Sequence, residues 1–290
     1  VFGSWWAYEV LSWGGYWAWD PVENASLMPW LVATAFIHSS LVQQRRGMLQ
    51  AWNFVLVISA FALTILGTFL TRSGTITSVH SFTQSAIGPV LLAFLVVVLG
   101  GSFALFATRS HLVASAPRLD SFWSREGTFL ANNLLLTVFA LVVLVGTIYP
   151  LVLEAFTGTQ VGVGEPFFNS LTVPLSFVLL LTMGVGPVTP WRHASLPLVW
   201  GRIRGPLQVA LAAGIVTAVV GTRNGWVALS VVAAVFVIGV IVRHLIETAG
   251  RRSRATGRNL FVEVRHVLTG DQGFWAGQLS HVGVAFVALG

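Results

Sequence analysis

The stretch from Trp13 to Gln43 reads WGGYWAWDPVENASLMPWLVATAFIHSSLVQ, and its character changes at Pro21. Before this proline the chain is rich in tryptophan and glycine. After it, residues 22–43 are mostly apolar, and the run is long enough to cross the hydrocarbon core of a bilayer, which requires about 20 residues in a helix. The stretch therefore predicts a membrane-spanning helix that is preceded by an aromatic segment.

Further apolar runs fill the rest of the chain. Of its 290 residues, 55% are hydrophobic and 9% are charged, whereas about 25% of the residues in a soluble domain are charged. We therefore expect an all-α fold, a polytopic transmembrane helical bundle that forms a single domain over residues 1–290. About eight spans are predicted, at 22–43, 51–70, 86–108, 128–152, 168–187, 205–221, 225–243 and an incomplete one from about 274.

The ends and the absence of cysteine set the chemical context. The chain has no initiating methionine and stops within an apolar run, so we expect it to be the interior of a longer polypeptide. Because it contains no cysteine, any thiol chemistry must come from a partner or a substrate. We find no catalytic triad, phosphate-binding loop or carboxylate pair in the sequence, so no catalytic residue is predicted.

The arginines predict which side of the membrane each loop faces. All 16 basic residues are arginines, and fourteen of them follow the odd-numbered spans, while Arg72 and Arg223 follow the even-numbered ones. The positive-inside rule places the arginine-rich loops in the cytoplasm, among them 244–273. Residues 1–21, 71–85 and 153–167 are then expected outside, on the periplasmic face of a bacterial inner membrane. Membrane topology thus explains the net charge of +6, and no nucleic-acid partner is expected.

The aromatic segment has two interpretations. Six of the twelve tryptophans fall between Trp5 and Trp30, and a belt of aromatic residues at the membrane interface accounts for this composition. A belt requires neither a glycine pair nor crowded rings, so a flat binding surface for a planar amphiphile such as haem, a quinone or a lipid headgroup is the alternative. The candidate binding residues of this segment are Trp13, Gly14, Gly15, Tyr16, Trp17 and Trp19.

Asp20 lies at the junction between this segment and the first span. Asp20, Pro21 and Glu23 form a typical helix start, with Asp as the N-cap, Pro in the first helical position and Glu in the third. We expect the Asp20 carboxylate to anchor the helix that holds the aromatic segment, with any ligand-binding role secondary.

Two histidines lie inside apolar runs, where an ionisable side chain is costly and suggests a function, although bonding to a neighbouring helix is the alternative. His38 lies about 10 Å along a helix from Arg45, and His281 lies about 15 Å from Asp271. These similar depths suit two imidazoles that ligate one haem iron from both faces, and Gly283 would leave room for the macrocycle.

The remaining histidines lie in loops. His80 belongs to TRSGTITSVHSF in an outside loop, where it is either solvated or an axial ligand of a haem that lies on the aromatic segment. Arg72, in the same stretch, either pairs with a haem propionate or ends the second span. No function is expected for the four histidines in or beside the arginine-rich loops, which are His111, His193, His244 and His266.

Three stretches resemble one family. WGGYWAWDPVENASLMPWL resembles the tryptophan-rich WWD signature of the haem-handling membrane proteins that include CcmF, NrfE, CcmC and CcsA. Within this family, GTFLTRSGTITSVHSF and VGVGEPFFN are similar to CcmF or NrfE rather than to the shorter CcmC. LSHVGVAFVALG resembles a later span of the same proteins.

The resemblance implies an inner-membrane cytochrome c haem lyase. Such proteins receive haem from the chaperone CcmE and, with CcmH-type and CcmI-type subunits, join its vinyl groups to the thiols of a CxxCH motif in apocytochrome c. By this resemblance, His38 and His281 ligate a resident haem b that reduces the incoming haem, with quinol as the electron donor. His80 matches one of two external ligands of the incoming haem; the second lies upstream in the family and is not in this sequence. A haem exporter and a quinol-oxidising cytochrome b subunit are the rival functions.

Overall fold

The computed structural model describes Trp6, Glu9 and Val10 together with residues 17–73, 87–113, 119–159 and 161–289. These ranges are helical and contain no strand, which confirms the all-α prediction for the described residues. The long helices are α1 (Pro21–Arg46), α2 (Gln50–Arg72), α3 (Gly88–Arg109), α4 (Arg125–Thr157), α5 (Glu165–Val185), α6 (Leu196–Val216), α7 (Gly225–Thr256), α8 (Leu260–Gly270) and α9 (Gln272–Val287).

Seven of these helices, α1 to α7, are long and apolar enough to cross a membrane. They coincide with the first seven predicted spans, which confirms a multi-pass membrane protein. The incomplete eighth span corresponds to α9, whose 16 residues extend about 24 Å, less than the ~30 Å hydrocarbon core.

Two helices extend beyond the apolar runs that predicted them. Helix α6 begins at Leu196 rather than near residue 205, because a proline in its first turn, after Ser195, favours a helix start there. Helix α7 continues past residue 243 to Thr256, where Gly257 ends it in the left-handed conformation, with φ 72°. Hydropathy marks only the part of a helix that lies within the membrane. Residues 244–273, predicted as a cytoplasmic loop, are therefore helical for most of their length.

The chain separates into two compact units. The first comprises Val1–Arg118 and Asn132–Leu175, and the second comprises Leu119–Ala131 and Ser176–Gly290. The sequence-based expectation of a single domain over residues 1–290 stays a prediction.

In the first unit, α1 and α2 are antiparallel neighbours that approach closely at Gly67. A Cβ atom at this position would lie 3.2 Å from the carbonyl oxygen of Ala25, so glycine permits the contact. Buried apolar residues of α1 fill the core beside it: Ala25, Met28, Leu31, Val32 and Ala35.

Buried polar side chains tie α1, α2 and α4 together within this unit. The Ser39 hydroxyl donates to Asn53. The Asn133 amide donates to the carbonyl oxygen of Ala35 at 2.6 Å and accepts from the indole N–H of Trp52, also at 2.6 Å. A membrane interior offers no water to polar groups, so these side chains need hydrogen-bond partners within the protein. The bonds supply those partners and fix the register of the three helices.

In the second unit, α7 packs against α6 and α9. One buried cluster contains Val188, Ala210, Phe236 and Val240, and a second contains Ala234, Val237, Ile241 and Ala285. The loop before α6 is fixed to the start of α4, because the buried Glu126 carboxylate accepts from the backbone N–H of Arg192 at 2.8 Å.

Candidate functional site

The described part of the aromatic segment ends in a fully formed helix cap. The backbone N–H of Val22 donates to the Asp20 carboxylate at 2.8 Å, and the N–H groups of Asp20 and Ala18 donate to the Glu23 carboxylate at 3.2 and 3.0 Å. This geometry confirms the predicted helix start. The two carboxylates therefore fix the direction in which the aromatic segment enters α1.

Trp19 adopts a backbone conformation that is unusual for a bulky side chain. Its φ of 56° lies in the left-handed region, which costs free energy and persists where the surroundings enforce it. The Asn24 amide donates to the Trp19 carbonyl oxygen at 3.2 Å. The indole N–H donates to the side-chain oxygen of Asn169 at 2.7 Å. Hydrogen bonds therefore fix both the backbone and the indole of Trp19.

The ring of Trp19 is held as well. Phe168, which is 1% exposed, stacks on it with the two ring centroids 4.9 Å apart and the planes 10° from parallel. Trp17 meets Trp19 edge-on at 5.8 Å and is 36% exposed. The segment thus presents an indole at the surface that is braced by a second, fixed indole.

Helix α4 supplies the support behind these rings. A Cβ atom at Gly146 would lie 2.6 Å from Phe168 and 2.7 Å from Phe167, so only glycine leaves room for both rings. The next residue, Thr147, accepts from the Asn24 amide at 3.1 Å. We call the set that holds Trp19 the Trp19 seat; its members are Asn24, Gly146, Thr147, Phe168 and Asn169.

Sequence reasoning did not identify the Trp19 seat. Phe168 and Asn169 lie within VGVGEPFFN, which supported the resemblance without being assigned a role. The sequence did contain one signal for this set of residues. Asn24 and Thr147 carry amide and hydroxyl groups in apolar runs, where polar groups are costly unless they form hydrogen bonds.

Arg72 lies at the same end of the first unit as Trp19. It is exposed in the last turn of α2, five residues beyond Gly67. Since α1 and α2 are antiparallel and Gly67 lies opposite Ala25, Arg72 is about level with Asp20, five residues before Ala25. The structure thus brings Trp17, Trp19, Asp20 and Arg72 to one end. The other predicted residues of this site lie outside the described residues: Trp13, Gly14, Gly15, Tyr16 and His80.

The two histidines of the spans belong to different units. His38 is half-buried on α1, between Ala35 and Ser39, which the polar contacts to α4 and α2 fix. His281 is half-buried on α9, and a Cβ atom added at the nearby Gly283 would meet nothing within 4 Å. The structure places both imidazoles in half-buried positions, and their role as haem ligands and their pairing stay predictions.

One histidine without an expected function is packed rather than solvated. His244 on α7 lies 5.7 Å from the ring of Phe274 and 5.8 Å from that of Trp275. Among the described residues, no group of three or more His, Cys, Asp or Glu side chains is arranged to hold a free metal ion.

Comparisons with known proteins give the same family as the WWD resemblance. The family model described as Cytochrome C assembly protein matches residues 1–78. The cytochrome c-type biogenesis protein CcmF of Pseudomonas aeruginosa is 42% identical over 297 aligned residues, which cover all of this chain and 43% of that protein. CcmF of Escherichia coli is 41% identical with the same two coverages.

A cytochrome c-type biogenesis protein named NrfE and a solved structure extend the comparison. NrfE of Haemophilus influenzae is 41% identical over 63% of this chain and 29% of that protein. The solved structure of a protein titled Cytochrome c Heme Lyase CcmF has a TM-score of 0.71 and 34% identity, and the match covers all of this chain and 41% of the other. The chain spans about 43% of the length of the CcmF relatives named above. The chain belongs to the CcmF family of cytochrome c biogenesis proteins.

Proposed function

We infer that this chain is part of a haem lyase for c-type cytochromes and that its aromatic segment receives the haem that is attached to apocytochrome c. The observation that carries the inference is the Trp19 seat. A belt of interfacial tryptophans requires only amphipathic rings. It requires neither a left-handed backbone at Trp19 nor a buried ring and two amides that hold that residue in place.

The residues at this end of the first unit suit haem as a substrate. A porphyrin stacks on flat aromatic surface, and the exposed Trp17 ring, braced by Trp19, offers such a surface. Arg72 is at the same end and can pair with a propionate through a charge-assisted hydrogen bond. Asp20 acts indirectly, since its carboxylate caps α1. His80 is proposed as an axial ligand of the incoming iron.

The chain contributes positioning to thioether formation. Each bond forms when a substrate thiol adds across a vinyl group, so that the sulfur joins one carbon and a hydrogen joins the other. The thiols belong to the apocytochrome, because this chain has no cysteine. Holding the vinyl groups and the thiols in a fixed geometry removes much of the entropic barrier to such a reaction.

His38 and His281 are proposed as the ligands of a resident haem b. That group would supply the electron that reduces the incoming iron, with quinol as the donor. The half-buried position of both imidazoles supports this assignment. A bacterial inner membrane, with the aromatic segment on the periplasmic side and with CcmE, CcmH-type and CcmI-type partners, is the setting that the family resemblance supports.

The experiment that tests this function compares two phenylalanines of α5. Phe168→Leu removes the ring that stacks on Trp19. Phe177→Leu removes a similar stack, because Phe177 lies 5.9 Å from Trp226 with the planes at 15°. An aromatic pair contributes about 0.5–1.5 kcal/mol, so we expect Phe168→Leu in the full-length protein to lower haem transfer about two- to tenfold. Holocytochrome c formed per unit of membrane protein is the measurement.

The Phe177→Leu variant separates a specific effect on Trp19 from a general loss of packing. Phe177→Leu should leave cytochrome c formation close to that of the wild type, and both variants should keep the spectrum of the resident haem. If both reduce holocytochrome c equally, the loss is a general packing effect. If neither reduces it, the Trp19 seat has no part in haem transfer.

A further inference from the structure

The end of α7 and the whole of α8 form a basic hairpin in the second unit. The buried Glu263 carboxylate accepts from Arg252 at 2.9 Å and from the hydroxyl of Thr256 at 3.0 Å. These bonds hold α8 against the end of α7 and so close the hairpin.

A cleft of about 540 Å³ lies beside this hairpin. Residues at a spacing of four along α7 form one wall, since helical residues four apart share a face. Ile246 and Leu260 make part of the cleft apolar, and Arg251 and Arg254 make another part basic. The lining residues are Ile246, Glu247, Gly250, Arg251, Arg254 and Leu260.

The charges of this cleft are unbalanced. Glu247 is the acidic residue of the lining, and its carboxylate already pairs with Arg243 at 2.6 Å. Within the part of the chain that the structure describes, no carboxylate forms an ion pair with Arg251 or Arg254. Two guanidinium groups therefore face a partly apolar cleft without an acidic partner.

The position of the cleft along α7 identifies the kind of ligand. The predicted span in α7 covers residues 225–243, so Ile246 lies about 4.5 Å beyond its end. Arg251 follows about 7.5 Å further along the helix and Arg254 about 12 Å further. The headgroup layer is about 5–7 Å thick on each side, and long arginine side chains reach back into it. The cleft thus begins within the headgroup layer, and its two arginines lie beyond that layer, from where their side chains reach back toward the phosphates.

We propose that this cleft binds one anionic phospholipid of the cytoplasmic leaflet. Arg251 and Arg254 bind the phosphate, because planar guanidinium groups form paired, charge-assisted hydrogen bonds with phosphate oxygens. The apolar part of the lipid next to the headgroup lies against Ile246. The negative surface of the cytoplasmic leaflet matches the predicted side of this hairpin and adds a long-range attraction. Arg252 holds the hairpin through Glu263 and does not contact the lipid.

The test measures lipid binding to the full-length protein by native mass spectrometry, with phosphatidylglycerol and phosphatidylcholine as probes. The double variant Arg251→Gln/Arg254→Gln is compared with Arg258→Gln/Arg265→Gln, which removes the same charge from exposed residues outside the cleft. A charge-assisted hydrogen bond to phosphate contributes a factor of about ten for each arginine. We therefore expect the first variant to bind phosphatidylglycerol about 100-fold more weakly and the control to retain its affinity.

Four results would overturn the proposal. Equal losses in the two double variants would mean diffuse attraction to a charged leaflet. Equal binding of phosphatidylcholine would mean that the charge of the headgroup is not recognised. Inorganic phosphate that displaces the lipid at equal concentration would indicate a soluble phosphate ligand. Unchanged lipid binding with loss of a partner subunit from the purified complex would assign the cleft to a protein interface.

Discussion

Gly146 is the residue of the Trp19 seat that tolerates least change. In Gly146→Ala the new methyl group would overlap the rings of Phe167 and Phe168, which must then shift away from Trp19. Overpacking of this kind costs about 1–3 kcal/mol, more than the ~1 kcal/mol that alanine gains in helix propensity. We expect a lower thermal unfolding midpoint and less holocytochrome c.

Gly100→Ala on α3 is the matched control. A Cβ atom there meets nothing within 4 Å, so the substitution should leave stability unchanged or raise it slightly. A Gly146→Ala protein as stable as the Gly100→Ala protein would show that α4 does not constrain the two rings.

Substitutions of Asp20 separate its role as a helix cap from any role of its negative charge. Asn caps helices about as well as Asp, whereas Ala lacks the acceptor and costs about 0.5–2 kcal/mol. We therefore expect Asp20→Asn to retain cytochrome c maturation and Asp20→Ala to lower both maturation and the unfolding midpoint. Loss of maturation in Asp20→Asn, with stability retained, would mean instead that the carboxylate acts on the haem.

The sequence predicts some of the candidate site residues because their signals are local. The cap is encoded by Asp20, Pro21 and Glu23 within four consecutive positions, and the cost of an imidazole in a span marks His38 and His281 as candidates. The partner of the Trp19 indole is different, because Asn169 lies 150 residues away. Such a contact depends on how α1, α4 and α5 pack, and no periodicity in one segment specifies it.

At the scale of the elements, the α7–α8 hairpin depends on pH through Glu263. Hydrogen bonds from Arg252, and to a lesser extent from Thr256, hold the pKa of this carboxyl below its ordinary value, although burial opposes the effect. A lowered folded-state pKa means that the stabilisation is fully present above the unfolded-state pKa of about 4.3 and is lost as the pH falls through the folded-state value. We expect α8 to lose protection against hydrogen exchange, relative to intrinsic rates, below about pH 4.3.

Two substitutions test whether the Glu263–Arg252 pair, and no other acidic group, causes this pH dependence. Glu263→Gln should weaken the protection of α8 at neutral pH and remove most of its dependence on acid. Glu247→Gln breaks the exposed pair with Arg243 and should change little, since exposed ion pairs contribute about 0–1 kcal/mol. Acid-dependent opening that persists in Glu263→Gln would assign the effect to another group.

The helix ends show where sequence-based prediction of elements stops. Apolar runs locate the spans because a bilayer demands about 20 apolar residues and internal hydrogen bonding of the backbone. They do not locate the ends of α6 and α7, which lie outside the membrane core and are set by a proline and a left-handed glycine. The lipid cleft depends on this extension, since Arg251 and Arg254 share a face because α7 continues to Thr256.

At the scale of the whole molecule, the proposed function uses residues of both units. The aromatic segment and His38 belong to the first unit, and His281 belongs to the second. The histidines therefore test the function independently of the Trp19 seat.

We expect the purified full-length protein to show a low-spin b-type spectrum when reduced, and we expect His38→Gly and His281→Gly each to weaken or abolish it. Added imidazole should restore the signal in both variants, because a free ligand can occupy the space that the side chain leaves. His244→Gly is the control, since this histidine packs against Phe274 and Trp275 and is not a proposed ligand. A haem-free wild type, or spectra unchanged in both ligand variants, would refute the resident haem and leave haem binding to the aromatic segment.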